Sequence, residues 1–267
     1  MTLFHSFILG LLQGFAEFLP ISSSAHLALA PWLFGWPEPG LAFDVALHVG
    51  TLLAVLGYFR AEWARLARAA WGIVRTRRVE GTEERRVIYI VIATIPGVIA
   101  GVLLQKQAES VFRGPAVIVQ PLIIMGVLLW LVDRLAPQAR PLGQMRAWDA
   151  MVIGLAQAFA VVPGVSRSGA TITAGRGCTL DREAAATFSF LMSMPIIAGA
   201  AAFEGRELIH SPLFGMPLVV GVITSAVSGW FAIAALLRYV SHRSYGIFAV
   251  YRFVLGAVVI WVIHARG

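Results

Sequence analysis

Residues 157–171 read QAFAVVPGVSRSGAT. The stretch lies in a chain that is 58% hydrophobic and 13% charged, with mean hydropathy +0.79. Soluble domains carry about 25% charged residues, so the composition is that of an integral membrane protein. At the centre of the stretch stand Pro163, Gly164, Ser166, Arg167, Ser168 and Gly169. An arginine at mid-helix in hydrocarbon costs roughly 2.5–3.5 kcal/mol on insertion scales. Polar, broken backbone at membrane depth survives only inside protein or against a wet cavity. The stretch therefore predicts a helix broken inside the membrane, with a site at the break.

The same pattern occurs near the N-terminus, where Gln13, Glu17, Pro20, Ser22, Ser23, Ser24 and His26 interrupt apolar sequence. Gln13 to Ser22 and Gln157 to Ser166 both span nine residues, with the proline shifted by one place. Paired interruptions in two halves of a membrane protein point to a repeat-built fold with its site at the repeat interface.

Loop charge orients the chain. Residues 60–86 hold eight arginines, from Arg60 to Arg86, and read as a cytoplasmic loop. Arg134, Arg140 and Arg146 mark a second inside loop, and Arg238 and Arg243 a third. The 105–115 loop is nearly neutral and belongs outside. Spans are expected over 43–59, 87–104, 117–132, 184–203, 216–237 and 247–263. Residues 1–36 and 149–182 are too interrupted for a full crossing and are expected as re-entrant helical hairpins. The expected fold is all-α, with two repeats (1–133 and 149–267), each one hairpin plus three spans. Three is odd, so the second repeat is inverted, and the two polar tips enter from opposite leaflets and meet near the midplane. The net charge of +7 reads as orientation signal against anionic lipid rather than nucleic-acid binding. One cysteine, Cys178, excludes an internal disulfide. No removable signal peptide is expected.

Brought together, these groups suit a phosphate. Arginine binds phosphate oxygens in pairs, and hydroxyls and helix N-terminal amides supply further donors. Glu17 and His26 are candidate acid–base groups, and the candidate nucleophile is either a neighbouring serine, Ser23, or a water activated by Glu17 or His26. Glu17 is also a candidate ligand for a divalent cation. Blander readings stand beside these. Glu17 pairs with Arg167 or Arg252, Ser22–Ser24 cap a helix, and His26 is a hydrogen-bonded core residue. Asp44 and His48, one turn apart, are a metal pair or a polar helix end, and Arg252 snorkels to the interface.

The motifs resemble those of the bacterial undecaprenyl-pyrophosphate phosphatases of the bacitracin-resistance type. Gln13 and Glu17 match a Glu/Gln-x-x-x-Glu motif. Pro20, Ser22, Ser23, Ser24 and His26 match the segment after it, and Pro163 to Gly169 match a Pro-Gly-x-Ser-Arg-Ser-Gly motif. The resemblance covers the whole chain. It implies hydrolysis of a C55 polyprenyl pyrophosphate lipid to the monophosphate, in the bacterial inner membrane, at a site facing the periplasm. It implies Mg2+ or Ca2+ as cofactor and Glu17, Ser23, His26 and Arg167 as catalytic set. Gln13, Ser22, Ser24, Gly164, Ser166, Ser168 and Gly169 would bind substrate. Gln13 stands where many relatives have glutamate, which removes one carboxylate from the implied metal site. The rival reading is a secondary transporter or lipid flippase, since inverted repeats with broken helices also serve transport.

Overall fold

A computed structural model describes residues 1–109, 111–209 and 215–266. Eleven α-helices follow one another among them. They are α1 (Leu3–Phe18), α2 (Ser23–Phe34), α3 (Leu41–Tyr58), α4 (Arg60–Thr76), α5 (Thr82–Glu109), α6 (Pro115–Leu135), α7 (Ala147–Ala158), α8 (Arg167–Gly177), α9 (Arg182–Ile209), α10 (Met216–Val240) and α11 (Gly246–Arg266). Five of these are long and apolar enough to cross a bilayer, and the bent pair α3–α4 makes up to six. The chain is thus a multi-pass, all-helical membrane protein. Apolar side chains such as Val102, Leu103 and Trp261 face outward, as lipid-exposed helices require.

Both interrupted stretches fold as helix, break, helix. The first is α1, a turn over 19–22, and α2; the second is α7, an irregular 159–166 segment, and α8. The breaks have local causes. Pro20 and Pro163 supply no backbone N–H. Ser22 (φ 78°) and Ser166 (φ 72°) then take left-handed conformations that restart the chain as N-caps. Such conformations are costly for a residue with a Cβ and persist where the surroundings impose them. Gly164 (φ 97°) carries less of that cost, and a Cβ there would collide with Ile118 O on α6.

Small residues let the hairpins sink between the long helices. Cβ atoms on Gly10 and Gly14 of α1 would collide with Gly221 O and Ser228 Oγ of α10, and one on Gly154 of α7 would meet Ala93 O of α5. Helices in lipid gain from such close backbone approach. So α1 packs along α10 and α7 along α5, while α3 packs on α9 and α6 on α11. The largest core centres on α9, where Phe188, Phe190, Leu191 and Met192 are fully buried.

One expectation about the elements needs correction. Residues 60–76 are not loop but α4, which leaves α3 at 83°. Leu66 and Ala69 are buried and Trp63 packs on the core, at helical spacing. The arginine count masked that periodicity. The span expected over 87–104 lies within a longer helix, α5, which runs through Pro96. Ser110, in the loop expected outside, falls beyond the described residues.

Candidate active site

The two breaks touch. Gly164 N–H of the second donates to Ser22 Oγ of the first at 3.1 Å. Ser168 Oγ of the second donates to Leu19 O of the first at 3.1 Å. Arg252 of α11 ties both together: Nε donates to Pro20 O at 2.6 Å, Nη1 to Gly164 O at 3.1 Å and Nη2 to Val165 O at 3.2 Å. It is fully buried. The expectation that Arg252 snorkels is therefore wrong. Breaking two helices releases carbonyls inside the protein, and a guanidinium with five N–H groups can satisfy several at once.

Glu17, at the last turn of α1, is the hub of the junction. Its Oε1 accepts from Arg167 Nη2 at 2.6 Å. Its Oε2 accepts from Ser23 Oγ at 2.6 Å and from Gln13 Nε2 at 3.1 Å. His48 Nε2, from α3, lies 3.4 Å from the same oxygen. Arg167 Nη1 donates to Ser189 O at 3.0 Å, and Thr171 Oγ1 lies 2.7 Å from Ser189 Oγ, so α9 braces the guanidinium. Ser23 and Arg167 each open a helix just after a serine cap. Amides of a first helical turn have no intrahelical partner and favour an anion.

The remaining candidate residues have other neighbours. Ser22 Oγ accepts from Ala25 N–H and pairs with Ser24 Oγ at 3.3 Å. Ser166 Oγ accepts from Gly169 N–H and pairs with Ser168 Oγ at 3.2 Å. Ser22, Ser166 and Ser168 are buried, whereas Ser23 and Ser24 are only half-buried. Gly169 packs against Arg252, which a Cβ would crowd. His26 turns to α11. Its Nδ1 lies 2.7 Å from Ser22 O and its Nε2 2.6 Å from Tyr251 OH, with the two rings stacked. Gln157, the counterpart of Gln13, instead donates to Ala93 O at 3.1 Å.

Tyr251 carries no signal in the sequence, while Arg252, Asp44 and His48 were expected in other roles. Tyr251 and Arg252 reach the first tip from more than 200 residues away, and Arg252 reaches the second across 88 and 87, and no spacing announces either. Asp44 and His48 do lie one turn apart, but they diverge. Asp44 Oδ2 accepts from Arg113 Nη2 at 2.5 Å, and His48 faces Glu17. A histidine one turn inside an apolar span was the available signal.

The residues do not fit a protein-held cation. Calcium takes six to eight oxygens and magnesium a near-octahedral set. Both Glu17 oxygens already face donors, two of them on basic side chains. Among the described residues, no three His, Cys, Asp or Glu side chains cluster as ligands. Among the described residues, Gln13 Oε1, Asp44 Oδ1 and Gln157 Oε1 are buried side-chain oxygens without a partner, and of these only Gln13 Oε1 belongs to a side chain bonded to Glu17.

Fold and junction define a helical membrane protein with a carboxylate, a serine hydroxyl and an arginine joined at two broken-helix tips. The chain matches the family described as Bacitracin resistance protein BacA over residues 6–258, and it belongs to that family. It is 54% identical over 266 residues to an undecaprenyl-diphosphatase of Gemmatimonas aurantiaca, covering 100% of both chains. It is 47% identical over 267 residues to one of Moorella thermoacetica, again covering 100% of both. The undecaprenyl-diphosphatase of Pelotomaculum thermopropionicum is also 47% identical, over 100% of this chain and 98% of its own.

Proposed function

We propose that the protein hydrolyses undecaprenyl pyrophosphate to undecaprenyl phosphate and inorganic phosphate, recycling the lipid carrier of cell-wall synthesis. The observation that carries this is the Glu17–Ser23–Arg167 cluster, three groups with distinct roles in phosphoryl transfer, within 2.6 Å contacts across two helix breaks. Family membership and the three full-length relatives agree with it. A transporter has no evident use for a serine held against a carboxylate.

Ser23 Oγ attacks the terminal phosphorus while its proton passes to Glu17 Oε2. Arg167, whose fork has N–H groups beyond the two it spends on Glu17 and Ser189, binds the non-bridging oxygens as negative charge shifts. The bond to the bridging oxygen breaks and the lipid monophosphate leaves. Water then attacks the phosphoserine; phosphate departs and Ser23 regains a proton. His26, with Tyr251, fixes the turn that carries Ser22 to Ser24. Gln13 steadies Glu17, and Ser24 with the Ser166–Gly169 turn lines the phosphate pocket.

The architecture supporting this is a pair of inverted repeats with six spans, α3 being the bent one. The reciprocal packing of α1 on α10 and α7 on α5 is what such a symmetry produces. Basic loops then face the cytoplasm, and the site opens toward the outer face of the inner membrane. An apolar cavity of about 700 Å3, walled by Val117, Pro121, Ile124, Phe159, Val165 and Ala170, borders the second tip and suits a prenyl chain.

The test is phosphate release from a short-chain prenyl pyrophosphate by purified protein in detergent with Mg2+ or Ca2+. Release by wild type and none by Arg167→Ala supports the proposal. No release by either overturns it.

A further inference from the structure

His48 has no part in the chemistry proposed above, yet it is the group from α3 closest to the reacting pair. Its ring is aimed from behind. Nδ1 lies 2.7 Å from Asp44 O, a carbonyl that can only accept, so Nδ1 carries a hydrogen and the ring plane is set. That leaves Nε2 toward Glu17 Oε2, 3.4 Å away; a carboxylate only accepts, so the contact holds Glu17 when Nε2 also carries a hydrogen and the ring is an imidazolium. Asp44 is itself fixed by Arg113.

The backbone behind this contact is pinned. Ser225 Oγ of α10 donates to Leu47 O at 2.8 Å, and a Cβ on Gly50 would collide with Val222 O of α10. Gly14 presses α1 into the same helix near Ser228 and Gly229. One helix thus registers the Glu17 turn of α1 against the His48 turn of α3. His26 cannot substitute, because Tyr251 OH occupies its Nε2.

We propose that His48 is a positioning residue that holds Glu17 Oε2 toward Ser23. Arg167 grips Oε1 and Gln13, from the same helix, reaches Oε2 at 3.1 Å, which leaves the α3 side of Oε2 for a further fixed partner. With His48 the plane is fixed from both sides, and the oxygen that takes the serine proton stays in line. Second partners that orient a reacting group act in this way at many sites. The inference rests on the reading of Glu17 as the base for Ser23.

The test compares His48→Ala and His48→Gln, purified in detergent, by steady-state phosphate release from a short-chain prenyl pyrophosphate. Misplacing a reacting group by about 1 Å costs on the order of 10²-fold. His48→Ala should lose about that in kcat with KM nearly unchanged. His48→Gln, which keeps an N–H donor, should recover about tenfold of the loss. A thermal unfolding midpoint near wild type shows that the loss is not one of folding. On a Glu17→Gln background, His48→Ala should cost little more, because both act through one contact. Wild-type kcat in His48→Ala, equal damage in the two His48 variants, or a loss carried by KM overturns the inference. High activity in Glu17→Gln alone would instead strike the base assignment, and is read from that variant without reference to His48.

Discussion

The two broken-helix tips share one scaffold and carry different chemistry. Each has a glutamine nine residues before a left-handed serine cap, and each cap accepts from the amide three residues on, Ala25 or Gly169. Each cap hydroxyl also pairs with the hydroxyl two residues later, at 3.3 Å in one and 3.2 Å in the other. In this register Ser23 aligns with Arg167, Glu17 with Val161 and His26 with Ala170. The same backbone device occurs at both tips, while the first holds the acid and hydroxyl and the second holds the cation. Neither tip alone has a complete set. The division also explains why the tips must touch, and why Arg252, bonded to carbonyls of both, occupies the middle.

Breaking the chemical side of this asymmetry should give the largest effects. Glu17→Gln keeps the shape but removes the proton acceptor. Turnover should fall by about 10⁴-fold, the upper range for a general base, with the unfolding midpoint little changed. An unaltered rate would make Glu17 structural. Arg167→Lys keeps the charge and loses the fork, and a fall of about 10²–10³-fold in phosphate release is expected. Near-wild-type turnover would remove arginine as the phosphate clamp.

Breaking the shared scaffold should register as stability first. Arg252→Met strands the carbonyls of Pro20, Gly164 and Val165 without their donor. A loss of about 3 kcal/mol is expected, since buried groups left unsatisfied cost about 1–3 kcal/mol each and relaxation recovers part. Denaturation in mixed micelles would measure it, and an unchanged midpoint would show that the tips hold together without α11. The glutamines sharpen the contrast at the small end. Gln13 donates to the Glu17 carboxylate while Gln157 donates to Ala93 O, so Gln13→Ala should slow turnover more than Gln157→Ala. For Gln157→Ala a stability loss of about 1 kcal/mol is expected, with activity near wild type. Equal kinetic damage would mean that the two tips contribute alike.

What the sequence showed and what it hid divide along physical lines. Serines, glycines and an arginine in apolar sequence are expensive, so both interruptions stood out, and with them the broken helices. The multi-pass helical character followed from composition. Hidden were the contacts made across the chain. Arg252 sits in a helix beside Tyr251 and Phe253, a context that also suits an interfacial arginine, and only folding shows the free carbonyls it meets. His48 paired by spacing with Asp44, yet its ring faces Glu17 because α10 holds α1 and α3 in register. The arginines of 60–76 spoke for a loop so strongly that the apolar positions between them, Trp63, Leu66 and Ala69, went unread as a helix face.

The account stands most directly on the bond between Ser23 and phosphorus. Rapid quenching of the first turnover, with pyrophosphate labelled on its terminal phosphorus, tests it. Label should appear on the peptide containing Ser23 in wild type and be absent from Ser23→Ala, which should also release no phosphate. Phosphate release without a labelled peptide, together with sustained turnover in Ser23→Ala, would contradict the account.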